Sequence, residues 1–174
     1  QSLSTDSWVM NRRVLDVELE SIALMSYLLR ELNEPVAVAG TYSYTRHECT
    51  MNIYKQFDSN WDSFLNQASQ ITPTGYTRLG PSIRHATHLL AERGGRQKLL
   101  ILLTDGKPTD YDRYEGRYGI EDIHHAHLEA KQKGVQIRAL AIEDAAKDYF
   151  PHMFGKNEYQ IIQDPAKLPE ALFK

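Results

Sequence analysis

Cysteine, long apolar runs and clustered basic charge are all scarce in this 174-residue sequence. Cys49 is the only cysteine, so no disulfide can form within the chain, as expected for a reducing cytoplasm. No apolar run approaches the roughly 18–20 residues of a membrane helix, and the amino terminus shows no charged leader followed by an apolar stretch. We therefore expect a cytoplasmic protein without a membrane span.

Charge and motif content argue against further classes of protein. The 20 basic residues are dispersed among 23 acidic ones and the net charge is −3, which argues against nucleic acid as the main partner. The sequence contains neither Gly-x-x-x-x-Gly-Lys-Ser/Thr nor Gly-x-Gly-x-x-Gly, and it lacks the Gly-x-Ser-x-Gly turn of many hydrolases. We therefore expect no nucleotide binding, and a metal-dependent hydrolase is the least favoured class.

The composition that remains is that of an ordinary globular domain, with 41% hydrophobic and 25% charged residues. A chain of this length can bury about 70% of its unfolded surface, so we expect one domain over positions 1–174.

The spacing of apolar residues predicts an α/β architecture. The predicted helices span 11–33, 58–70, 77–93 and 121–133, with a short helix from 166, and the predicted strands span 36–43, 50–57, 98–103, 136–142 and 159–162. Strands that alternate with helices of this length predict a doubly wound, mostly parallel, Rossmann-like sheet flanked by helices. The apolar run from Lys98 to Leu103 has the length of a central strand buried on both faces.

Small oxygen-bearing side chains occur near the ends of the predicted strands. Ser2 and Ser4 lie at the start, Thr77 follows a turn, and Asp105 follows the most apolar strand. Ligands of doubly wound sheets bind beyond the carboxyl ends of the strands. Hydroxyls and carboxylates are hard ligands that suit Mg²⁺, with Mn²⁺ or Ca²⁺ as alternatives. Taken singly, each residue also has an ordinary explanation as a helix cap or a turn residue.

Taken together, these four residues resemble the metal-ion-dependent adhesion site of the von Willebrand factor A domain. That site is written Asp-x-Ser-x-Ser, followed by a distant threonine and a distant aspartate, which Ser2, Ser4, Thr77 and Asp105 match in order. The resemblance covers essentially the whole chain. It implies that the first aspartate, and the central strand that carries it, precede Gln1.

Three further stretches narrow the resemblance to the NorD/CbbO family: Thr104 to Asp122, Ser4 to Trp8 and Tyr76 to Gly80. The resemblance implies a large cytoplasmic adaptor whose carboxy-terminal domain works with a MoxR-type AAA+ ATPase. Its implied task is to activate or mature a target enzyme, either Rubisco or nitric oxide reductase. A target side chain would supply an acidic ligand to the metal.

The polar stretch from Asp110 to Asp122 combines acidic residues, arginines and three tyrosines. Tyrosine and arginine often anchor interfaces, which makes a partner-binding surface one interpretation. The candidate contact residues are Tyr114, Glu115, Arg117 and Tyr118. A solvated loop that orders itself through salt bridges is the equally favoured alternative.

Two further alternatives remain from the sequence. The domain could act as an adhesion or structural unit whose metal site is idle. His124, His125 and His127 invite a zinc interpretation, but on a helix this spacing does not place three imidazoles on one face, so we expect surface residues.

Overall fold

The computed structural model describes residues 8–9, 12–104, 107–142, 144–162, 164 and 167–172. The helices are α1 Val14–Leu32, α2 Asp62–Ala68, α3 Leu79–Ala91, α4 Gly116–Gln132, α5 Phe150–Phe154 and α6 Leu168–Leu172, with a 3-10 helix at Asp144–Asp148. The strands are β1 Trp8–Val9, β2 Arg12–Arg13, β3 Val38–Ser43, β4 Cys49–Lys55, β5 Lys98–Thr104, β6 Val135–Ala141 and β7 Tyr159–Ile161. None of the helices in these ranges combines the length and apolarity required to cross a membrane.

The described strands form one parallel sheet and two antiparallel pairs. β5, β6 and β7 form a parallel sheet in that order, with Lys98 opposite Val135 and Thr104 opposite Ala141. β3 and β4 form an antiparallel pair, and β1 pairs with β2. The helices α3, α4 and α5 pack on one face of the parallel sheet, and α1 and α6 pack on the other. This arrangement confirms the predicted α/β fold with a parallel sheet between helices.

The local sequence explains where the main helices end. α1 ends where Asn33 adopts a left-handed conformation with φ of 52° and donates its N–H to the carbonyl of Arg30 over 3.1 Å. α4 ends before Gly134, whose φ is 73°. Such left-handed residues after the last helical turn satisfy carbonyls that would otherwise lack a partner.

Two predictions about the elements were wrong. α4 begins at Gly116 rather than at residue 121, so Arg117 and Tyr118 lie on a helix and not in a loop. Within the described residues β5 lies at an edge of its sheet and not at its centre, although Leu100 and Leu102 pack into the core on one face and Ile101 and Leu103 on the other. A first, central strand upstream of Gln1 stays a prediction.

His127 also departs from the sequence interpretation, which placed it on the surface. It is 5% exposed, packs beside Phe154 and contacts the Glu158 carboxylate through Nε2. The reason is helical periodicity, because His127 follows the buried Ile123 by four residues and lies on the same face of α4. His125, by contrast, is exposed.

Candidate functional site

Three chain segments lie side by side at the end of β3. Ser43 exchanges two backbone hydrogen bonds with Tyr76, at 3.0 and 2.8 Å between nitrogen and oxygen. The next residue, Thr77, exchanges two with Thr109, at 2.9 and 3.2 Å. Since β3 ends at Ser43 and residue 109 follows β5, these bonds place Thr77 between the ends of two strands.

A buried ion cluster, formed by Arg78, Asp110 and Asp112, locks the same segments together. Arg78 is 5% exposed and donates to Asp110 from Nε over 3.1 Å, and it also pairs with Asp112. The Asp110 carboxylate further accepts the Ser43 hydroxyl at 2.8 Å and the Thr45 N–H at 3.1 Å. Buried charges are tolerated when they are paired and hydrogen-bonded, as they are here. Residues 109–112 are thereby tied to both Ser43 and Arg78.

Tyr114 packs against the Arg78 side chain of the buried ion cluster. Its ring lies 4.2 Å from the guanidinium carbon of Arg78, a cation–π contact. Its hydroxyl accepts the Gly80 N–H at 3.2 Å and donates to Asp122 at 2.6 Å. Burial, together with the hydrogen bond to Asp122, raises the pKa of the Tyr114 phenol well above its ordinary value. This tyrosine therefore joins the loop to both α3 and α4.

The raised pKa of Tyr114 predicts a loss of stability in alkali. Above pH of about 10 the unfolded chain releases the phenolic proton while the folded chain retains it. The stabilisation is complete below the unfolded pKa, and the unfolding free energy falls by about 1.4 kcal/mol per pH unit above it. Tyr114→Phe should remove this contribution to the slope, and at neutral pH it should cost about 1 kcal/mol through the lost hydrogen bonds.

Urea unfolding between pH 7 and 11 measures both effects. Tyr118→Phe is the matched control, because Tyr118 is 59% exposed and should give the wild-type slope. An identical alkaline slope in Tyr114→Phe and in the unsubstituted chain would contradict this role for the buried phenol.

The predicted metal ligands divide between described and undescribed residues. Thr77 is 8% exposed and lies at the predicted edge. Ser2, Ser4 and Asp105 lie outside the described residues. Among the residues that the structure does describe, no group of three or more His, Cys, Asp or Glu side chains is arranged to hold a metal ion.

The one predicted ligand that the structure describes is of a type that suits a hard cation. Thr77 contributes a hydroxyl, a ligand type that Mg²⁺ accepts, and its backbone is held on the Thr109 side by two hydrogen bonds. Asp110 does not extend this ligand set, because its carboxylate already accepts from Ser43, Thr45 and Arg78. The fit therefore depends on Thr77 together with the three undescribed residues.

The predicted partner-binding residues differ in exposure. Tyr114 is 0% exposed, which corrects its assignment as a contact residue: the phenol is enclosed by Arg78, Gly80 and Asp122. Glu115 is exposed, and the Arg117 and Tyr118 side chains are 92% and 59% exposed. Only these last three are accessible to a partner in this conformation.

Sequence reasoning missed the residues of the buried ion cluster. Arg78 lies 32 positions before Asp110, and Ser43 lies 67 positions before it, so no local pattern connects them. The available signal was the Asp-x-Asp spacing at residues 110 and 112 together with an arginine directly after the candidate ligand Thr77. That signal does not specify which charges pair.

The fold is that of a known class. Residues 20–170 match the von Willebrand factor type A domain, and the chain belongs to this family. The pilus adhesin SpaC from Lactobacillus rhamnosus GG shares the fold, with a TM-score of 0.73 and 16% sequence identity over 99% of this chain and 28% of the adhesin chain.

Closer sequence relatives carry the name NorD. The chain is 41% identical over 172 residues to Protein NorD of Brucella melitensis, covering 98% of this chain and 27% of that protein. It is 41% identical over 166 residues to Protein NorD of Stutzerimonas stutzeri, covering 94% of this chain and 27% of that protein. The chain therefore spans roughly a quarter of the length of these relatives.

Proposed function

We propose that this chain is the metal-dependent protein-binding module of a NorD-like adaptor. The observation that carries the proposal is the 41% identity to NorD proteins across nearly the whole chain. The rigid placement of Thr77 between two strand ends supports it. The module has a binding role and no catalytic activity of its own.

Ser2, Ser4, Thr77 and Asp105 would hold the metal, with Mg²⁺ as the preferred ion and Mn²⁺ or Ca²⁺ as alternatives. When bound, the ion supplies an electrophilic position that accepts a carboxylate from a partner. Around Thr77 the chain's own task is positioning. The backbone bonds to Thr109 and the buried ion cluster keep this ligand in place before a partner arrives.

The proposed partners follow from the family resemblance. A MoxR-type AAA+ ATPase would supply the mechanical work in the cytoplasm. A target enzyme, nitric oxide reductase or Rubisco, would present the acidic ligand. Glu115, Arg117 and Tyr118, near the start of α4, are accessible for contacts with either protein.

Chelation tests the metal dependence directly. Binding of a MoxR-type ATPase from the same genome to the full-length adaptor can be measured by biolayer interferometry in Mg²⁺ and in EDTA. We expect EDTA, and separately Asp105→Ala, to weaken binding at least about tenfold, the smallest loss typical of groups that support a metal ligand. Titration of the adaptor with Mg²⁺ by calorimetry gives a second readout that does not need the partner.

Asp58→Ala is the control for the lost charge, because Asp58 is exposed and pairs only at the surface with Arg93. It should retain wild-type binding. Partner binding that is equally strong in EDTA and in Mg²⁺ would refute the metal-dependent role.

A further inference from the structure

Aromatic residues from three separate segments lie together beside Thr77. We call them the tyrosine surface: Tyr42, Tyr44, Tyr76 and Tyr111. Tyr42 and Tyr44 stack edge to face with ring centroids 5.7 Å apart, and Tyr76 and Tyr111 do so at 4.4 Å. Ser43, which lies between Tyr42 and Tyr44 in the chain, exchanges two backbone hydrogen bonds with Tyr76, at 3.0 and 2.8 Å. The two pairs are therefore neighbours in space.

The tyrosine surface is accessible and rests on a rigid base. Tyr111 is 69% exposed and Tyr44 is 39% exposed. Beneath them, Asp110 accepts the N–H groups of Tyr111, at 2.7 Å, and of Thr45, at 3.1 Å. Rigid tyrosines present large contact areas at a low cost in conformational entropy, which favours them at recognition surfaces.

The charge exposed around these rings differs from that of the local sequence, where residues 44–48 and 107–113 hold three cations and three anions. Asp110 and Asp112 turn inward, with side chains 0% and 18% exposed, and both pair with Arg78. The exposed charged side chains of residues 44–48 and 107–113 are instead Arg46, Lys107, Arg113 and Glu48. Arg46 is paired with Asp112, so the remaining cations of these two segments are Lys107 and Arg113, against the single anion Glu48. An acidic ligand would complement this excess of positive charge.

We propose that the tyrosine surface docks an acidic segment of a protein partner. This inference rests on the proposed function, because the same segment would bring a carboxylate to the metal beside Thr77. Aromatic rings with a cationic rim could also suit single-stranded nucleic acid. A protein occupant is favoured because the net charge of the chain is −3 and its basic residues are dispersed.

A random peptide library displayed on phage tests the docking surface on the full-length adaptor in Mg²⁺. We expect the enriched peptides to be acidic. A labelled enriched peptide, followed by fluorescence polarisation, should bind about tenfold more weakly to Tyr111→Ala, and likewise to Tyr76→Ala. Tyr27→Ala is the matched control, since Tyr27 is 65% exposed on α1, and it should bind like the unsubstituted chain.

The outcomes separate this inference from the proposed function. Peptide binding that needs Tyr111 but persists in EDTA supports docking and contradicts the metal dependence. Binding that EDTA abolishes but neither tyrosine substitution changes overturns docking and leaves the metal role standing. Docking is also overturned if the enriched peptides are neutral or basic, or if no peptide is enriched. The same holds if Tyr27→Ala weakens peptide binding as much as Tyr111→Ala does. A single-stranded oligonucleotide that binds with the same dependence on Tyr76 and Tyr111 would overturn it as well. Circular dichroism of each variant confirms that the comparison is between folded proteins.

Discussion

Asp110→Ala should lower the free energy of unfolding by about 3–5 kcal/mol, the usual cost of removing one partner from a buried ion pair. The substitution leaves the Arg78 guanidinium buried with Asp112 as its remaining carboxylate. It also deprives the Ser43 hydroxyl and the Thr45 N–H of their acceptor. The surviving pair with Asp112 places the expected loss toward the lower end of that range.

Urea unfolding at neutral pH measures this loss. Asp58→Ala removes an equal charge from an exposed pair with Arg93, where the Asp58 side chain is 76% exposed, and should cost far less than Asp110→Ala. Asp110→Asn keeps the shape of the side chain and should fall between the two. Equal losses in Asp110→Ala and Asp58→Ala would show that the buried ion cluster does not hold the loop.

Gly75→Ala should cost about 2–5 kcal/mol, because two independent penalties coincide at this residue. The backbone of Gly75 has φ of 63°, which an alanine adopts only with strain. A Cβ there would also lie 2.7 Å from the carbonyl oxygen of Ser43. That oxygen accepts the Tyr76 N–H, so relieving the clash would disturb the backbone bonds that position Thr77.

Gly134→Ala separates the two penalties. Gly134 has φ of 73°, but a Cβ added there would meet no described atom within 4 Å, so this variant should show only the conformational cost of about 1–2 kcal/mol. The difference between the variants in urea unfolding reports the clash. A Gly75→Ala protein as stable as Gly134→Ala would mean that the Ser43 segment shifts freely.

The elements that the sequence predicts best have strong local periodicity. The predicted α1 is only three residues too long at its start and one too long at its end, because its apolar residues recur every three or four positions. The start of α4 is missed because Gly116 and Gly119 suggest a loop. In the structure Gly119 lies on the buried face of α4, where an added Cβ would be 3.1 Å from Pro108. A close tertiary contact therefore explains a glycine that the sequence alone suggests is a turn residue.

Part of the candidate site could also be predicted from the sequence. The rule that ligands bind beyond strand ends led to Thr77, and the structure places this residue between two such ends. The tendency of tyrosine to anchor interfaces assigned Tyr114 to a partner surface, because a tyrosine in a polar stretch offers no sign of burial. Its burial depends on Arg78, Gly80 and Asp122, which lie on other segments of the chain.

The sequence by itself determined the α/β class and the position of Thr77, because periodicity and turn residues act over short distances along the chain. Only the tertiary structure decided which charges are buried. Asp110 and Asp112 lie in a stretch rich in acidic residues, yet both side chains pair with the buried Arg78. Cations and tyrosines of the same stretch remain exposed. Pairing between residues more than 30 positions apart depends on how the segments pack. The packing therefore determines the sign of the charge on the surface that a partner contacts.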